Sequence, residues 1–436
     1  MTAPRPSLGL DPELQRKLGF TLLCLVIYRV GAHIVAPGVN VQALADFIQN
    51  SAAAGFFGLY DTLGGGLSRA TVFALGIMPY ISASIIFQLA GGIIPSVGKM
   101  QKDEEGKKKL TQWTRYLTVF IALSQAYTFT LFTESIPGAV PAPTFWTRLT
   151  MVVVLTTGAV FVMWLGEQIT ERGIGNGMSL LITFSILDRL WPGIVNAVQF
   201  WKSGALTLPK IVLFAAILVA VTAAVVGMTI AARRIPVQIP RKVMGRGRMT
   251  QGQKTFIPIR LITAGVMPII FAQTIIIVPG TLASFTKNEY LRSIADFFTP
   301  GELPYDLTFA VMILLFSYFY TSIIFNSVDL AENLKKQGGF IPGVKPGSST
   351  ADYIDTVLAR VTLPGALFLA LIALVPTFLT KQLGFQQQFG STSVLIVVGV
   401  LLDTLAQIEQ HRTLRKYDSF MKSGRIKFRG RQQRYM

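Results

Sequence analysis

Residues 73–95 read FALGIMPYISASIIFQLAGGIIP, twenty-three in a row without a charge. Apolar runs of similar length recur along the whole chain, and they constrain the fold more than any other feature. A helix needs roughly 20 residues to cross about 30 Å of hydrocarbon. Inside hydrocarbon every backbone N–H and C=O must be paired within the protein, so such runs are helices. With 51% hydrophobic and only 14% charged residues, the chain is too apolar for a soluble protein of its length. The expected fold is an all-α polytopic membrane protein.

Ten stretches are expected to span: 19–35, 72–94, 116–132, 149–165, 178–198, 211–230, 261–285, 307–328, 361–380 and 394–408. The fifth is interrupted by Asp188 and Arg189. Arg16 and Lys17 precede a short apolar run, as in a secretory signal. That run continues through YRVGAHIV and nine more follow, so the first stretch is expected to stay uncleaved. In the second, Ile77, Ile81 and Ile85 fall on one side of a helix. That line could face lipid, a neighbouring helix or a hole.

Lysine and arginine separate sharply between alternate connecting segments. One set (the start, 99–115, 167–177, 233–260, 329–360 and 411 onward) holds 31 of the 40 basic residues; the other holds eight, and Arg29 lies within the first stretch. The asymmetry places both termini in the cytoplasm. The net charge of +18 is thus concentrated on one face. The single cysteine, Cys24, excludes an intrachain disulfide and a Cys-based metal site.

Chemistry is sparse. The only histidines, His33 and His411, are far apart and no HExxH is present. GIGNG at 173–177 looks like a dinucleotide loop, but it joins two membrane stretches without the strand that motif requires. SVGKM at 96–100 resembles a phosphate loop, yet its upstream glycine is misplaced and Met100 stands where Ser or Thr belongs. Both read as turns at helix ends. No catalytic constellation emerges, and neither a cofactor nor a metal is expected. Apart from Arg29, Asp188, Arg189 and Asp403, the stretches carry no Asp, Glu, Lys or Arg. Ion-coupled transporters usually keep such groups near the midplane. A conduit whose cargo is not one defined ion fits better than a pump. The alternative is a secondary transporter with two five-span repeats, because sodium can be held by carbonyl and hydroxyl oxygens alone.

Five segments carry a family resemblance: LSRATVFALGIMPYISASIIFQL, WLGEQITERGIGNGMSLLI, RRIPVQIPRKVMGRGRMTQGQ, GVMPIIFAQTIIIVPGTLASF and GGFIPGVKPGSSTADYIDTVLARVTLPGA. In order along the chain, they resemble signature segments of the SecY family, channel subunits of the bacterial Sec protein translocase. The basic tail GRIKFRGRQQRYM departs from a typical member. The resemblance implies ten transmembrane helices in two pseudo-symmetric five-helix halves, 1–200 and 201–436, around a central pore in the cytoplasmic membrane. Polypeptides would cross through the pore or leave sideways into lipid.

By that resemblance the pore ring is Ile77, Ile81, Ile182, Ile186, Ile270 and Ile396. Ile77 and Ile81, like Ile182 and Ile186, are four apart and point the same way from their helices, although such pairs also serve ordinary packing. An apolar constriction suits a channel that must admit any side chain, because it offers no fixed charge and dewets when empty. Asp188 and Arg189 would then meet an aqueous external funnel, or else form a mutually neutralising pair between helices. GFFGLYDTLGGGLSR at 55–69 is an external loop by composition and, in the family, a plug. Phe56, Phe57, Leu59 and Leu63 would seal the ring, and Gly64, Gly65 and Gly66 would let the segment swing away. Ser82 and Val278 match positions across the family's lateral gate, between the second and seventh spans.

Two inserts lie on the basic face. In the first, at about 233–258, apolar and polar residues alternate around Gly-Arg-Gly-Arg, which reads as a hairpin. The second, about 329–360, contains SSTADYIDTVLAR, expected as a short helix ending at Arg360. Their charges could serve topology alone. In the family these inserts dock the motor SecA or the ribosome, the latter partly through rRNA phosphates. Arg241, Arg246, Arg248 and Arg360 are the matching candidates. The resemblance also implies SecE and SecG subunits, and signal peptides and nascent polypeptides as cargo, with no nucleotide site in this chain. Asp11 and Pro12 are expected to open a helix lying along the inner membrane surface, and the tail at 411–436 is read only as basic.

Overall fold

The computed structural model describes residues 12–50, 66–204, 207–238, 243–244, 248–249, 254–262, 265–284, 303–383 and 391–423. Helices dominate. In chain order they are α1 Pro12–Gly31, α2 Val41–Asn50, α3 Met78–Ile93, α4 Pro95–Lys102, α5 Glu104–Ser135, α6 Phe145–Arg172 and α7 Gly177–Lys202. Then come α8 Leu208–Ile230, α9 Met267–Ser284, α10 Leu303–Ile324, α11 Ser327–Lys336, α12 Ser348–Leu383 and α13 Ser391–Ser423. Four strands lie between α8 and α9: β1 Ala232–Gln238, β2 Val243–Met244, β3 Arg248–Met249 and β4 Lys254–Arg260.

Each of the ten apolar stretches falls on a helix. Among the described residues, six helical segments are long and apolar enough to cross a membrane, or seven if the bent pair α3 and α4 counts as one. Shorter apolar helices occupy Gly177–Asp188 and Met267–Ile276. The surface of α8 shows what surrounds such helices. It buries only Val225 and leaves Val212, Val219 and Ile230 exposed. In water that face would be an untenable apolar patch; in hydrocarbon it costs nothing. The protein is a multi-pass helical membrane protein.

Packing falls into two sets. In the first, α5 lies on α6 and α3, α6 packs on α7, and α1 rests on α6 and α7. In the second, α10 packs on α12 and α9, while α13 rests on α8 and α12. Two main seams join the sets: α3 against α9, and α7 against α13.

The second apolar stretch becomes helical later than its composition suggests. Residues 72–77 form turns, with Gly76 at φ +52, and α3 starts only at Met78 with Pro79 in its first turn. Non-helical backbone at membrane depth must be satisfied by protein. Here Ala36 N–H donates to the Ala70 carbonyl at 2.8 Å, and Val72 N–H to the Ile34 carbonyl at 2.8 Å. Gly158 of α6 lets that backbone in close, because a Cβ there would overlap the Val72 carbonyl. The line formed by Ile77, Ile81 and Ile85 is buried throughout, so it does not face lipid.

Three further expectations are corrected. SVGKM is not a turn but part of α4, which leaves α3 at a 109° bend. Pro95 lacks an N–H and restricts Ile94 to extended backbone, so one helix stops and another starts with proline well placed in its first turn. The helix before Arg360 does not end there. It runs unbroken through Pro364 and Pro376 to Leu383, so Arg360 lies mid-helix. Its apolar continuation supplies packing that outweighs the two lost N–H groups. Pro12 does open a helix, but α1 continues to Gly31 as one element, with no separate surface segment. Only Gly19 interrupts its side chains, and a single glycine does not stop helix propagation.

Candidate functional site

Five of the six ring candidates lie on four helices and Ile77 just precedes one; all six are buried members of the one large hydrophobic core that both packing sets share. Ile77 is the residue before α3, and Ile81 lies in its first turn. Asn176 caps α7, accepting from the N–H groups of Met178 and Ser179 at 3.1 and 3.5 Å, and so fixes the register of Ile182 and Ile186. Ile270 lies in the first turn of α9, and Ile396 is near the start of α13. None is more than 6% exposed. No charged side chain belongs to that core.

A cavity of about 360 Å³ reaches this cluster. Ile81, Ile182 and Ile270 line its apolar part, and helices of both packing sets contribute to its wall. Its polar wall carries Arg115, Glu167 and Glu171. Arg115 Nε donates to Glu167 Oε1 at 2.8 Å, tying α5 to α6. Two polar atoms on α7 and α9, Thr183 Oγ1 and Gln273 Oε1, are buried without a hydrogen-bond partner. Among the described residues no group of three His, Cys, Asp or Glu side chains could hold a metal ion.

The choice left open at Asp188 has a third answer. Its carboxylate pairs with Arg29 of α1. Beside that pair, the hydroxyls of Tyr28 and Ser185 hydrogen-bond at 2.8 Å, so two polar contacts join α1 to α7. The sequence showed each charge but not its partner, which lies 159 residues away. The Arg115–Glu167 pair was missed for the same reason: Arg115 counted only towards topology, and Glu167 was not singled out.

The other candidates are placed unevenly. Ser82 is half-buried on α3, which packs on α9; Val278 lies within α9, its side chain outside the described ones. Gly66 precedes a short 3₁₀ turn, Leu67–Arg69, and a Cβ there would crowd Thr71 Oγ1 at 2.5 Å. Phe56, Phe57, Leu59, Leu63, Gly64, Gly65, Arg241 and Arg246 lie outside the described residues. Arg248 is in β3, and its side chain is also outside them.

The two inserts form one unit. β1 and β4 pair antiparallel from Ala232–Arg260 to Gln238–Lys254, and β2 pairs with β3 nearer the turn. Gln238 and Phe340 exchange two backbone hydrogen bonds of 2.9 Å, joining the hairpin to the second insert. Beneath that joint, Ile235, Val237, Ile259, Ile341, Ile354 and Leu358 form a second core. Arg360 is exposed at its edge.

Comparison with known proteins is consistent along the chain. The SecY family model matches residues 71–405. The protein translocase subunit SecY of Aquifex aeolicus (strain VF5) is 42% identical over 418 residues, 94% of this chain and 97% of that protein. A solved structure described as that of a protein-conducting channel superposes with a TM-score of 0.68 at 18% identity, covering 98% of both chains. Sec61 from a canine ribosome-channel complex of the endoplasmic reticulum superposes at 0.64 with 17% identity, again over 98% of each. At such identities the two structures speak for the fold alone.

Proposed function

This chain belongs to the SecY family, and from that membership we propose that it is the pore subunit through which unfolded polypeptides cross the cytoplasmic membrane. The observation that supports the reading is that Ile77, Ile81, Ile182, Ile186, Ile270 and Ile396 are all buried in the core shared by both packing sets, with Ile81, Ile182 and Ile270 lining a cavity there. A closed apolar ring blocks ions by excluding water. When a chain enters, the same side chains offer only weak, replaceable contacts, so no sequence is held.

The reading extends to ten spans in two halves, with both termini cytoplasmic. The two packing sets and the α3–α9 seam support it, since apolar segments leaving sideways into lipid need a seam that can part. Residues 55–69 act as the plug of the pore. The paired inserts, with Arg241, Arg246, Arg248 and Arg360, form the surface where SecA or the ribosome docks. SecE braces the two halves, and SecG is peripheral. The pore is passive and draws its driving force from those partners. The two-repeat transporter finds no support in the family match.

A photocrosslinking side chain at Ile77, in the presence of a stalled secretory chain, tests the reading. The stalled chain is expected to be captured at Ile77 and not at exposed Val219 of α8. Equal capture at both, or none at Ile77, overturns it.

A further inference from the structure

The GIGNG turn, 173–177, has no part in the function just proposed, yet both packing sets grip it. From the first set, Thr21 Oγ1 of α1 accepts the Ile174 N–H at 3.2 Å. From the second, Gln407 Oε1 of α13 accepts the Gly175 N–H at 3.1 Å. Gly175 sits at φ +86, and a Cβ there would lie 3.2 Å from Thr404 Oγ1 of α13, so α13 rests directly on the turn. One turn beyond Gln407, His411 Nε2 is 3.2 Å from Lys17 Nζ and 3.8 Å from Glu13 Oε1, both on α1. Thr404, Gln407 and His411 follow i, i+3, i+7 spacing, so one face of α13 makes all these contacts.

The two helices that meet here each carry ring residues. Ile182 follows Gly175 by seven residues, and Ile396 precedes Gln407 by eleven. The joint is thus about two helical turns from the ring along α7 and three along α13. It lies on the α7–α13 seam, whereas the lateral gate is read at the α3–α9 seam.

We propose that Gln407 and Gly175 are positioning residues for the pore ring: their hydrogen bond holds α7 and α13 in register and sets the closed spacing of Ile182 and Ile186 against Ile396. The proposal rests on those isoleucines forming the ring. A joint of this kind lets one seam part for cargo while the other keeps its alignment. A glutamine suits it because the amide oxygen reaches a backbone N–H without bringing a charge into the joint.

The test is resting ion conductance of the full chain, reconstituted in its complex in planar bilayers, alongside export of a secretory substrate. Gln407→Met keeps the length of the side chain and removes the acceptor. Resting conductance should rise roughly threefold to tenfold, the population change that one lost hydrogen bond permits, while export continues. Gln407→Glu restores an acceptor and should return conductance towards the original. Thr21→Val removes the matching bond to the same turn, but inside one packing set, and should leave conductance unchanged. If Thr21→Val leaks as much as Gln407→Met, the turn merely needs support and the proposal fails. Unchanged conductance in Gln407→Met overturns it as well. Should that variant fail to assemble, Gln407→Asn, which shortens the arm by one methylene, takes its place with the same expected leak. A reference variant, Ile81→Gly with Ile186→Gly, separates the two levels. If the reference does not leak, the ring itself is misassigned and this inference falls with it. If it leaks and the Gln407 variants do not, only this inference falls.

Discussion

Arg115 and Glu167 meet at 2.8 Å across α5 and α6, on the wall of the cavity that Ile81, Ile182 and Ile270 also line. The carboxylate is 13% exposed and the guanidinium 42%. The pair is therefore partly screened, and its worth lies below that of a fully buried one. Glu167→Gln should cost about 1 kcal/mol, near 2 °C in Tm for a chain of this size. Arg115→Gln added to it should cost less than the sum of the two single changes. Melting of the four purified forms measures this coupling, and strict additivity would show that the pair contributes nothing as a pair.

Two glycines in helices should respond to alanine with opposite signs. At Gly158 a new Cβ would overlap the Val72 carbonyl, whose backbone is tethered to Ile34 by a 2.8 Å hydrogen bond. Neither side can yield cheaply, so Gly158→Ala should destabilise by about 1–3 kcal/mol. At Gly19 nothing lies within 4 Å, and alanine is the better helix former. Gly19→Ala should be neutral or stabilise by about 0.5–1 kcal/mol. The unfolding temperature should fall in Gly158→Ala and not in Gly19→Ala; an unchanged or raised value in Gly158→Ala contradicts the packing there.

Widening the ring should make it conduct. Replacing Ile81 and Ile186 with glycine removes two buried side chains of the six proposed for the ring. Water should then wet the constriction, so resting conductance rises while export survives. Unchanged conductance in planar bilayers would assign the barrier to other residues.

The elements of this fold were legible where the physics is local. Apolar runs place the helices, and alternation around Gly-Arg-Gly-Arg gives the paired β1 and β4. Two features were hidden by nonlocal chemistry. The partner of Asp188 is Arg29, and no pattern near Asp188 points there. The delayed start of α3 goes with backbone bonds of Val72 to Ile34 and of Ala36 to Ala70, contacts that composition cannot reveal. The ring shows both sides of this. Four-residue spacing signalled that Ile77 and Ile81 share a face, but only the family resemblance singled out Ile270 and Ile396, which stand among other isoleucines and valines.

Arg360 offers a charge without burying one. It is exposed mid-helix on α12, while Leu358 and Val361 beside it belong to the insert's core. Arg360→Glu should leave that core folded and the complex assembled. Motor-driven export into reconstituted vesicles should fall by at least tenfold, because reversing a docking charge repels the partner. Export at the original rate would reduce Arg360 to a topology charge.

The α3–α9 seam makes the strictest demand on the lateral-gate reading. The helices are in contact, with Ser82, Ala83 and Ser84 giving α3 a run of small residues that permits close approach. α9 continues as a helix through Pro279, which removes one backbone hydrogen bond and weakens the helix just beyond Val278. Cysteines at Ser82 and Val278, after replacement of Cys24, should form a disulfide if their Cα atoms come within about 7 Å. Oxidation should then stop secretory chains from entering, and reduction should restore transport. A flexible cross-linker long enough to span a parted seam should block far less, since it permits the opening that the disulfide forbids. If the disulfide forms quantitatively and transport continues regardless, the chain opens elsewhere, and α3 and α9 are not the lips of the gate.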